Sequence, residues 1–352
     1  FASISKKQTI LSVFNEDSMD ASLTDPVADR YVDVTSVEDL IVRIGEENCV
    51  PGWVSHEQPL MWAQPKSVML PAHWRYAQIR PALIAAGRVI GTDLAERRNF
   101  VLRNPAPGNH FATTRTLVGA YQSILPGERA RSHRHSPHAL RVIIESRGSY
   151  SVVNGRKHPM ETGDIVLTPG GNWHGHGHDG DEQAFWFDCL DIPLVHLLEP
   201  MTSREHPDHW ERDVVDEPSS AMRFAWQDTL ALLDVQAHAT SVSNAEEQAC
   251  FGTTIALDAP SMPTIGIKVH RLTARWQGQA YEHNANSICV VLQGAGTSAI
   301  GDSCFEWERG DVMALPMGLR LQHGAQADAI VVELTDEKLM RYCRFYQRRL
   351  LG

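Results

Sequence analysis

Short apolar or alternating segments, separated by turn residues, dominate the chain from Phe100 to Pro193 and return from Ile265 to Leu334. Runs such as TLVGAYQSIL, LRVIIES and AFWFDCL are interrupted by PG, NG, TGD and PGG turns. Alternation bounded by turns in this way predicts antiparallel strands. The pattern therefore predicts two β-domains within one chain.

The remaining segments have a different pattern. Helices are predicted over SVEDLIVRIG, which begins with a Ser cap, and over WRYAQIRPALIAAG, which is expected to end at Gly87. A further helix is predicted over SAMRFAWQDTLALLD, and DEKLMRYCRFYQRRL predicts a basic amphipathic helix that could dock on a neighbouring subunit. Residues 1 to about 35 predict a mobile arm or an oligomer-wrapping tail. The predicted organisation is an arm and helical preface (1–99), a first barrel (100–194), a connecting segment (195–260), a second barrel (261–336) and a C-terminal helix (337–352).

The two β-regions are internal copies of each other. An offset of 148 positions relates His135 to His283 and Gly148 to Gly296. After a one-residue deletion the offset becomes 147 and relates His176 to His323. Because a repeat of this kind implies one structural unit used twice, the predicted fold is all-β with helical additions, built as two double-stranded β-helix (jelly-roll) barrels.

Two motifs in the first repeat carry candidate chemistry: Gly127-x5-His133-Arg134-His135, and Gly163-x5-Pro169-x-Gly171-x2-His174. They match the two cupin motifs, so the fold is predicted to be a bicupin. Because side chains alternate on a strand, His133 and His135 are expected to point into the barrel, with His174 arriving from a strand that closes over them. A single inward histidine is more often a core residue. Three neutral nitrogen donors on one side of a cavity, however, suit a divalent first-row metal with open positions.

Arg141 occupies the place where many cupins have a glutamate as fourth ligand. A guanidinium cannot bind a metal, but it can bind a carboxylate through two nitrogens. Arg141 beside a vacant metal face therefore indicates an acidic substrate. The alternative is an internal ion pair with a carboxylate of the barrel.

Composition narrows the class of protein. The formal net charge is -11, and Arg and Lys are dispersed apart from a C-terminal cluster, so nucleic acid is not an expected partner. No run approaches the roughly 18 apolar residues that span a bilayer, and the polar start FASISKKQTI lacks the apolar core of a signal peptide. A cytoplasmic protein without a membrane partner is expected. The six cysteines form no CxxC pair, and reduced thiols are predicted.

The phrases AERRNFVLRNP, YQSILPGERARSHRHSPHALRVIIESRGSYSVVNG, METGDIVLTP and WFDCLDIPL resemble the gentisate and salicylate 1,2-dioxygenases, which are ring-cleaving bicupins with hydroxynaphthoate and nitrosalicylate relatives. The resemblance runs from about Trp53 to Pro200 and continues more weakly through the second repeat. It implies an Fe(II)-dependent enzyme that uses O2 to cleave a small aromatic acid between the carboxyl-bearing and hydroxyl-bearing carbons. It also implies a homo-oligomer, with a homotetramer favoured.

The same resemblance implies roles for individual residues. His133, His135 and His174 would hold Fe(II), while Arg97 and Arg141 would bind the substrate carboxylate. The carboxylate and the ortho-hydroxyl oxygen of such a substrate can chelate a metal through two open positions.

The same resemblance places five more residues around the substrate. His176 lies two positions beyond a ligand on the same inward face and is the predicted catalytic residue, which could donate to bound oxygen or shuttle the phenolic proton. Gln122 is expected to line the pocket or to bond a strand end, and Asp188 to approach the ring or to make a structural hydrogen bond. Ala120 matches gentisate-type members, whereas His138 replaces a small polar residue near the ring.

Departures from the family pattern bear on the substrate. Gly175 replaces an aspartate between two histidines, and Gly171 and Asn172 replace a bulkier pair. These changes predict a reshaped pocket that accepts a 5-substituted salicylate, such as 5-nitrosalicylate, at least as well as gentisate. A metal-binding cupin isomerase and a non-enzymatic small-molecule-binding cupin are the alternatives.

The second repeat is predicted to lack a metal site. Tyr281 stands in the place of His133, and Leu321 stands in the place of His174. His283 and His323 are therefore left without a third donor, and this barrel is expected to serve packing and assembly.

Overall fold

The computed structural model describes residues 28–53, 60–92, 94–238 and 245–352, so most of the predicted arm lies outside the described residues. The chain divides into two units, Phe1–Ala63 and Gln64–Gly352. In the first unit a 3-10 helix (Ala28–Tyr31) precedes helix α1 (Val37–Glu46). The Ser36 hydroxyl accepts a hydrogen bond of 3.0 Å from the Asp39 amide, so the predicted cap is confirmed.

The second unit begins with strand β1 (Ala72–Trp74) and helix α2 (Tyr76–Val89). Helix α2 continues past Gly87, where the sequence predicted its end. A Cβ at Gly87 would lie 3.2 Å from the Leu125 side chain. Glycine at this position therefore permits close packing of the helix on the first barrel and does not terminate it.

The first barrel is formed by two facing six-stranded sheets. Its strands are β2 (Arg98–Val101), β3 (Val118–Ile124), β4 (Arg129–His135), β5 (Ala139–Glu145), β6 (Ser149–Val153), β7 (Arg156–Met160), β8 (Ile165–Thr168), β9 (His174–His178), β10 (Ala184–Leu190), β11 (Ser203–Glu205), β12 (Val215–Asp216) and β13 (Arg223–Phe224). The strand orders are β13-β8-β5-β10-β3-β2 and β11-β4-β9-β6-β7-β12. Helix α3 (Ile192–Leu198) follows β10.

Two helices, α4 (Trp226–Ala237) and α5 (Ala245–Phe251), connect the barrels. The second barrel contains β14 (Thr253–Leu257), β15 (Gly266–Leu272), β16 (Tyr281–His283), β17 (Ser287–Gln293), β18 (Ala295–Ile300), β19 (Ser303–Glu308), β20 (Val312–Leu315), β21 (Arg320–Ala325), β22 (Ala329–Thr335), helix α6 (Glu337–Tyr342) and β23 (Arg348–Leu350). Its sheets have the orders β1-β20-β17-β22-β15-β14 and β19-β18-β21-β16-β23. The predicted fold class of two β-barrels with helical additions is confirmed.

Strand pairing supports the internal repeat. In the first barrel His133 of β4 lies opposite His174 of β9, and in the second Tyr281 of β16 lies opposite Leu321 of β21. The offset of 148 positions relates His133 to Tyr281, and the offset of 147 relates His174 to Leu321. The two barrels therefore share one register, in which the second barrel carries other residues at the ligand positions.

Two further predicted helices differ from the structure. Helix α4 begins at Trp226, because Arg223 and Phe224 form β13 and the Asp164 carboxylate accepts a 2.9 Å hydrogen bond from the Trp226 amide. The predicted C-terminal helix of residues 337–352 is wrong beyond Tyr342. Arg344 adopts a left-handed φ of 60°, after which β23 pairs with β16 and extends the sheet. Among the described residues, no helix is long and apolar enough to cross a membrane.

The two barrels share a continuous hydrophobic core. One buried cluster includes Leu140 and Phe187 of the first barrel together with Val290 of the second. Tyr121 lies in this cluster and donates a 2.7 Å hydrogen bond to the carbonyl of Gly310. Burial raises the pKa of Tyr121 well above its ordinary value, so its hydroxyl stays protonated and remains a donor.

We expect Tyr121→Phe to lower the free energy of unfolding by about 1–3 kcal/mol, because the Gly310 carbonyl then loses a buried partner. Tyr342→Phe is the matched control, since Tyr342 is 87% exposed. The midpoint of urea unfolding measures the difference. Equal midpoints for the two variants would mean that this hydrogen bond does not stabilise the junction between the barrels.

Candidate metal centre and adjoining cavity

Three histidine side chains converge inside the first barrel. A one-residue bulge in β4 separates the Ala130–His176 pair from the His133–His174 pair. With an unbroken register Ser132 would lie opposite His174, so the bulge aims His133 at the centre of the site. The potential ligand atoms of His133, His135 and His174 all lie within 4.8 Å of one another.

The hydrogen bonds of these rings leave one nitrogen of each free. The Nδ1 atoms of His133, His135 and His174 lie 3.3, 2.8 and 3.1 Å from the backbone carbonyls of Arg131, Pro137 and Asn172. A ring that donates from Nδ1 presents its Nε2 lone pair to a metal. The buried Nε2 of His174 has no hydrogen-bond partner, as expected of an atom that binds a metal ion. The donor set therefore fits a divalent first-row metal.

The environment keeps these imidazoles neutral. Burial, assisted by the nearby Arg97 and His135, lowers the pKa of His133 to about 4. Burial, and after it the charge of Arg141, holds the pKa of His174 well below its usual value. Neutral imidazole is the form that binds metals, so the triad is ready to bind at neutral pH.

Arg141 is buried beside the triad. Its Nη1 donates a 2.5 Å hydrogen bond to the Thr168 hydroxyl, and its Nε lies 3.4 Å from Oδ1 of Asp188. Burial lowers the pKa of Arg141 to about 10, and the attraction of Asp188 opposes this change, so the guanidinium remains charged near neutral pH. The internal ion pair that the sequence allowed as an alternative for Arg141 is therefore present, with Asp188 as the partner. Arg141 also lines the cavity beside the triad.

Asp188 joins the predicted polar residues into one network. It accepts hydrogen bonds of 2.5 Å from Gln122 Nε2 and 3.0 Å from Trp186 Nε1. The Oε1 atom of Gln122 in turn accepts a hydrogen bond from Arg97 Nε. The structure thus connects both predicted carboxylate-binding arginines through Gln122 and Asp188. The structural hydrogen bonds that the sequence allowed for Asp188 are present, whereas Gln122 bonds two side chains and not a strand end. Both residues also line the cavity.

A cavity of about 410 Å³ opens beside the triad. Its polar end carries the six residues His133, His135, Arg97, Arg141, Gln122 and Asp188. Its other end is mainly apolar and is formed by Phe111, Val118, Leu190 and Ile192, with the His196 ring 5.3 Å from that of Phe111. Val101 also lines the cavity and lies beside Ala120 in the register of β2 and β3. Ala120 lies between Gln122 and Val118 along β3, opposite Asp188 in the register of β3 and β10. The cavity can therefore hold a molecule that is acidic at one end and apolar at the other.

His176 lies near the triad without lining this cavity. Its ring centroid is 6.2 Å from that of His174 and 5.7 Å from that of Trp186. Both ring nitrogens are buried and lack hydrogen-bond partners. Burial, and after it the charge of Arg141, holds the pKa of His176 well below its usual value, so the ring is neutral. His176 is thus available for proton exchange, but it lines a second cavity, of about 320 Å³, and not the one that Arg97 and Arg141 line.

His138 and Gly175 are not in the cavity, contrary to the expectation from the sequence. His138 accepts a 3.0 Å hydrogen bond from the Gly170 amide at its Nδ1. Gly175 lies between two inward histidines, and it faces a separate cavity of about 320 Å³ that is also lined by Trp210 and Glu211. The departures from the family pattern at His138 and Gly175 therefore do not reshape the cavity beside the triad.

Several lining residues were not predicted. Val118 could have been found by counting back in steps of two from Gln122 along β3, and Leu190 by counting forward from Asp188 along β10. Phe111 lies in a loop and His196 lies on helix α3, so neither follows from strand alternation.

The second barrel holds no comparable site among the residues that the structure describes. The Tyr281 hydroxyl lies 3.1 Å from His323 Nε2, and Leu321 stands opposite Tyr281 in place of a third ligand. Phe251 stacks on His270 at 4.6 Å and fills the interior, where a cavity of only about 20 Å³ remains. Within the described ranges, the triad of the first barrel is the one group of three or more potential ligands close enough to share a metal.

Comparison with known proteins places these features in a family. A family model described as "Cupin domain" matches residues 120–192, which contain the triad. A gentisate 1,2-dioxygenase of Ralstonia sp is 32% identical over 76% of this chain and 81% of its own length. A 5-aminosalicylate 1,2-dioxygenase of Comamonas sp is 28% identical over 90% of each chain. The crystal structure of salicylate 1,2-dioxygenase from Pseudoaminobacter salicylatoxidans has the same fold, with a TM-score of 0.78 at 24% identity over 91% of this chain and 95% of that one.

These findings confirm the bicupin fold and the expectation of a ring-cleaving 1,2-dioxygenase. The non-enzymatic and isomerase alternatives are correspondingly disfavoured. The chain belongs to the gentisate and salicylate 1,2-dioxygenase family of ring-cleaving bicupins.

Proposed function

We propose that this protein is an Fe(II)-dependent dioxygenase that cleaves a salicylate-type ring between the carboxyl-bearing and hydroxyl-bearing carbons. The substrate is a 5-substituted salicylate, such as 5-nitrosalicylate, or gentisate. The observation that carries the proposal is a triad of neutral imidazoles beside two linked arginines in one cavity. His133, His135 and His174 would hold the metal, and iron suits three nitrogen donors with open positions. When bound, the iron would supply the electron transfer that lets dioxygen react with an aromatic ring.

Both oxygen atoms of O2 are accounted for in the product of the proposed reaction. The substrate gains both atoms of one dioxygen molecule and loses none of its own, as the bond between the two substituted ring carbons breaks. One oxygen atom becomes a ketone beside the original carboxylate, and the other completes a new carboxyl group at the former hydroxyl-bearing carbon. The protein must therefore hold the carboxylate, orient the ortho-hydroxyl group and keep the ring in place.

Arg141 and Arg97 would bind the substrate carboxylate. Both are charged side chains at the polar end of the cavity, and both are oriented by the Gln122–Asp188 pair. A guanidinium held in place by hydrogen bonds loses little freedom when it binds a carboxylate. Asp188 and Gln122 therefore act mainly by orienting the arginines, and Ala120 leaves room for the ring.

His176 is the candidate residue for proton transfer with the phenolic hydroxyl. Its two unpartnered nitrogens and its neutral state support this role. Its position outside the cavity that Arg97 and Arg141 line means that the proton would reach it past the His174 ring, or through a rotation of a side chain at the site.

The apolar lining of the cavity supports the preference for a 5-substituted ring, whereas His138 and Gly175 do not line the cavity. With the carboxylate at the polar end, the opposite edge of the ring would face Val118, Leu190 and Ile192. His196 is the polar side chain at this end that could bond a 5-hydroxyl group. A nitro or halogen substituent has less need of hydrogen bonds, so burial there costs it less than it costs a hydroxyl group.

Oxygen consumption after anaerobic loading with Fe²⁺ tests the proposal. We expect uptake with salicylate, gentisate and 5-nitrosalicylate, and kcat/KM for 5-nitrosalicylate at least equal to that for gentisate. Benzoate is the control, because it lacks the hydroxyl group and is expected to give no uptake. A strong preference for gentisate would contradict the substrate proposal, and no uptake with any hydroxy acid would contradict the proposed activity. The cytoplasmic location and the homotetramer stay predictions.

A further inference from the structure

Glu96 lies in a bend shortly before β2, beside His133 of the triad and Arg97. Its Oε2 atom is 3.6 Å from Nδ1 of His133 and 3.6 Å from Nη1 of Arg97. No other member of the triad has a carboxylate this close to a ring nitrogen among the described residues. Glu96 is therefore the one carboxylate, in the described part of the chain, that lies within 4 Å of both a ring nitrogen of the triad and a substrate-binding arginine.

His133 is the ligand that most needs such support. The distance from its Nδ1 to a backbone carbonyl is 3.3 Å, longer than the 2.8 and 3.1 Å found for His135 and His174. It is also half-buried, and it follows the bulge in β4. A carboxylate that accepts the Nδ1 proton of a ligating histidine fixes the ring orientation and makes Nε2 a stronger donor.

We propose that Glu96 is a positioning residue that accepts the Nδ1 proton of His133 when a metal is bound, and that couples this ligand to Arg97. The separation of 3.6 Å is just beyond hydrogen-bond length, and a small rotation of the partly exposed Glu96 side chain closes it. The same carboxylate then limits the movement of Arg97, whose Nε is already bonded to Gln122. The inference rests on the proposed function because it takes His133 as a metal ligand.

Metal affinity tests the role of Glu96 directly, without turnover. The dissociation constant for Co²⁺ is measured on metal-free protein by competition with a chelator. We expect Glu96→Ala to weaken Co²⁺ binding about tenfold to a hundredfold, the usual effect of removing the partner of a ligating histidine. Glu96→Gln keeps an oxygen acceptor and is expected to recover part of this loss.

Glu205→Ala is the matched control. Glu205 lines the same cavity of about 460 Å³ as Glu96, Arg97 and His133, and it pairs with His133 across β11 and β4. Its carboxylate makes no contact with the His133 ring, so the control has the same surroundings and lacks only the carboxylate contact. Removal of the same charge from the same cavity is expected to leave Co²⁺ affinity unchanged. In proton NMR of the Co²⁺-loaded protein, one shifted imidazole N–H resonance is expected to move in both Glu96 variants and none in Glu205→Ala.

Each outcome decides the inference. Equal Co²⁺ affinity in Glu96→Ala and Glu205→Ala would overturn it, and a raised KM with unchanged Co²⁺ affinity would mean that Glu96 acts on Arg97 alone. If Glu96→Ala does not fold, Glu96→Gln against Glu205→Gln makes the same comparison. Failure of the proposed function is distinguishable, because a protein without dioxygenase activity would still show the Co²⁺ affinity difference, whereas an unmodified protein that binds no Co²⁺ would mean that the triad is not a metal site.

Discussion

His174→Ala is expected to abolish metal binding almost completely, and His133→Ala is expected to do the same. The triad supplies three nitrogen donors, and a site with two donors and an alanine no longer encloses a divalent ion. His174 is fully buried with an unpartnered Nε2, so its loss removes the donor that no water can easily replace. Iron content per chain after anaerobic loading and gel filtration measures the effect.

His283→Ala in the second barrel is the matched control. His283 occupies the repeat position of His135, is buried and also has an unpartnered Nε2. Its neighbours are Tyr281 and Tyr346, and a third ligand is lacking because Leu321 stands at that position. The variant is expected to keep its iron. Equal loss of iron in His283→Ala and His174→Ala would place the metal elsewhere.

Arg141→Lys is expected to lower kcat/KM by tens to several hundred-fold while iron stays bound. Lysine keeps the charge, but it cannot contact Thr168 and Asp188 and also bind a carboxylate with two nitrogens. Loss of a charge-assisted contact in a desolvated site costs about 2–4 kcal/mol. Steady-state kinetics with the preferred substrate, together with iron content, measure the two effects separately.

The control for this variant is Arg156→Lys, because Arg156 is exposed on β7 and lies outside the cavity. It is expected to have the kinetics of the unmodified enzyme. Near-normal kinetics in Arg141→Lys would mean that Arg141 serves only its ion pair with Asp188, and that the substrate carboxylate binds at another group.

The metal site could be predicted from the sequence because strand geometry determines it. Two histidines separated by one residue on β4 share a face, and the second motif brings His174 opposite them. The sequence could not show the bulge that aligns His133, since that depends on the pairing of β4 with β9. The second barrel was also predictable, because the repeat places Leu321 at a ligand position.

The substrate pocket was predicted less well, for reasons that strand alternation explains in part. His138 is three positions from Arg141, so the two side chains point to opposite faces of β5 and its extension. Gly175 separates two inward histidines and must face outward. For both positions, strand alternation alone predicts a direction away from the inward face, in contrast to what the family resemblance implies. Phe111 and His196 enter the cavity from a loop and a helix, whose positions depend on tertiary packing.

The most direct test of the central claim is the fate of labelled dioxygen. The Fe²⁺-loaded enzyme is incubated with salicylate or 5-nitrosalicylate under ¹⁸O₂, and the product is analysed by mass spectrometry. The expected product is a ring-opened diacid that contains two ¹⁸O atoms per molecule, one in the ketone and one in the new carboxyl group. A product with one labelled atom, or an intact ring, would contradict the central claim.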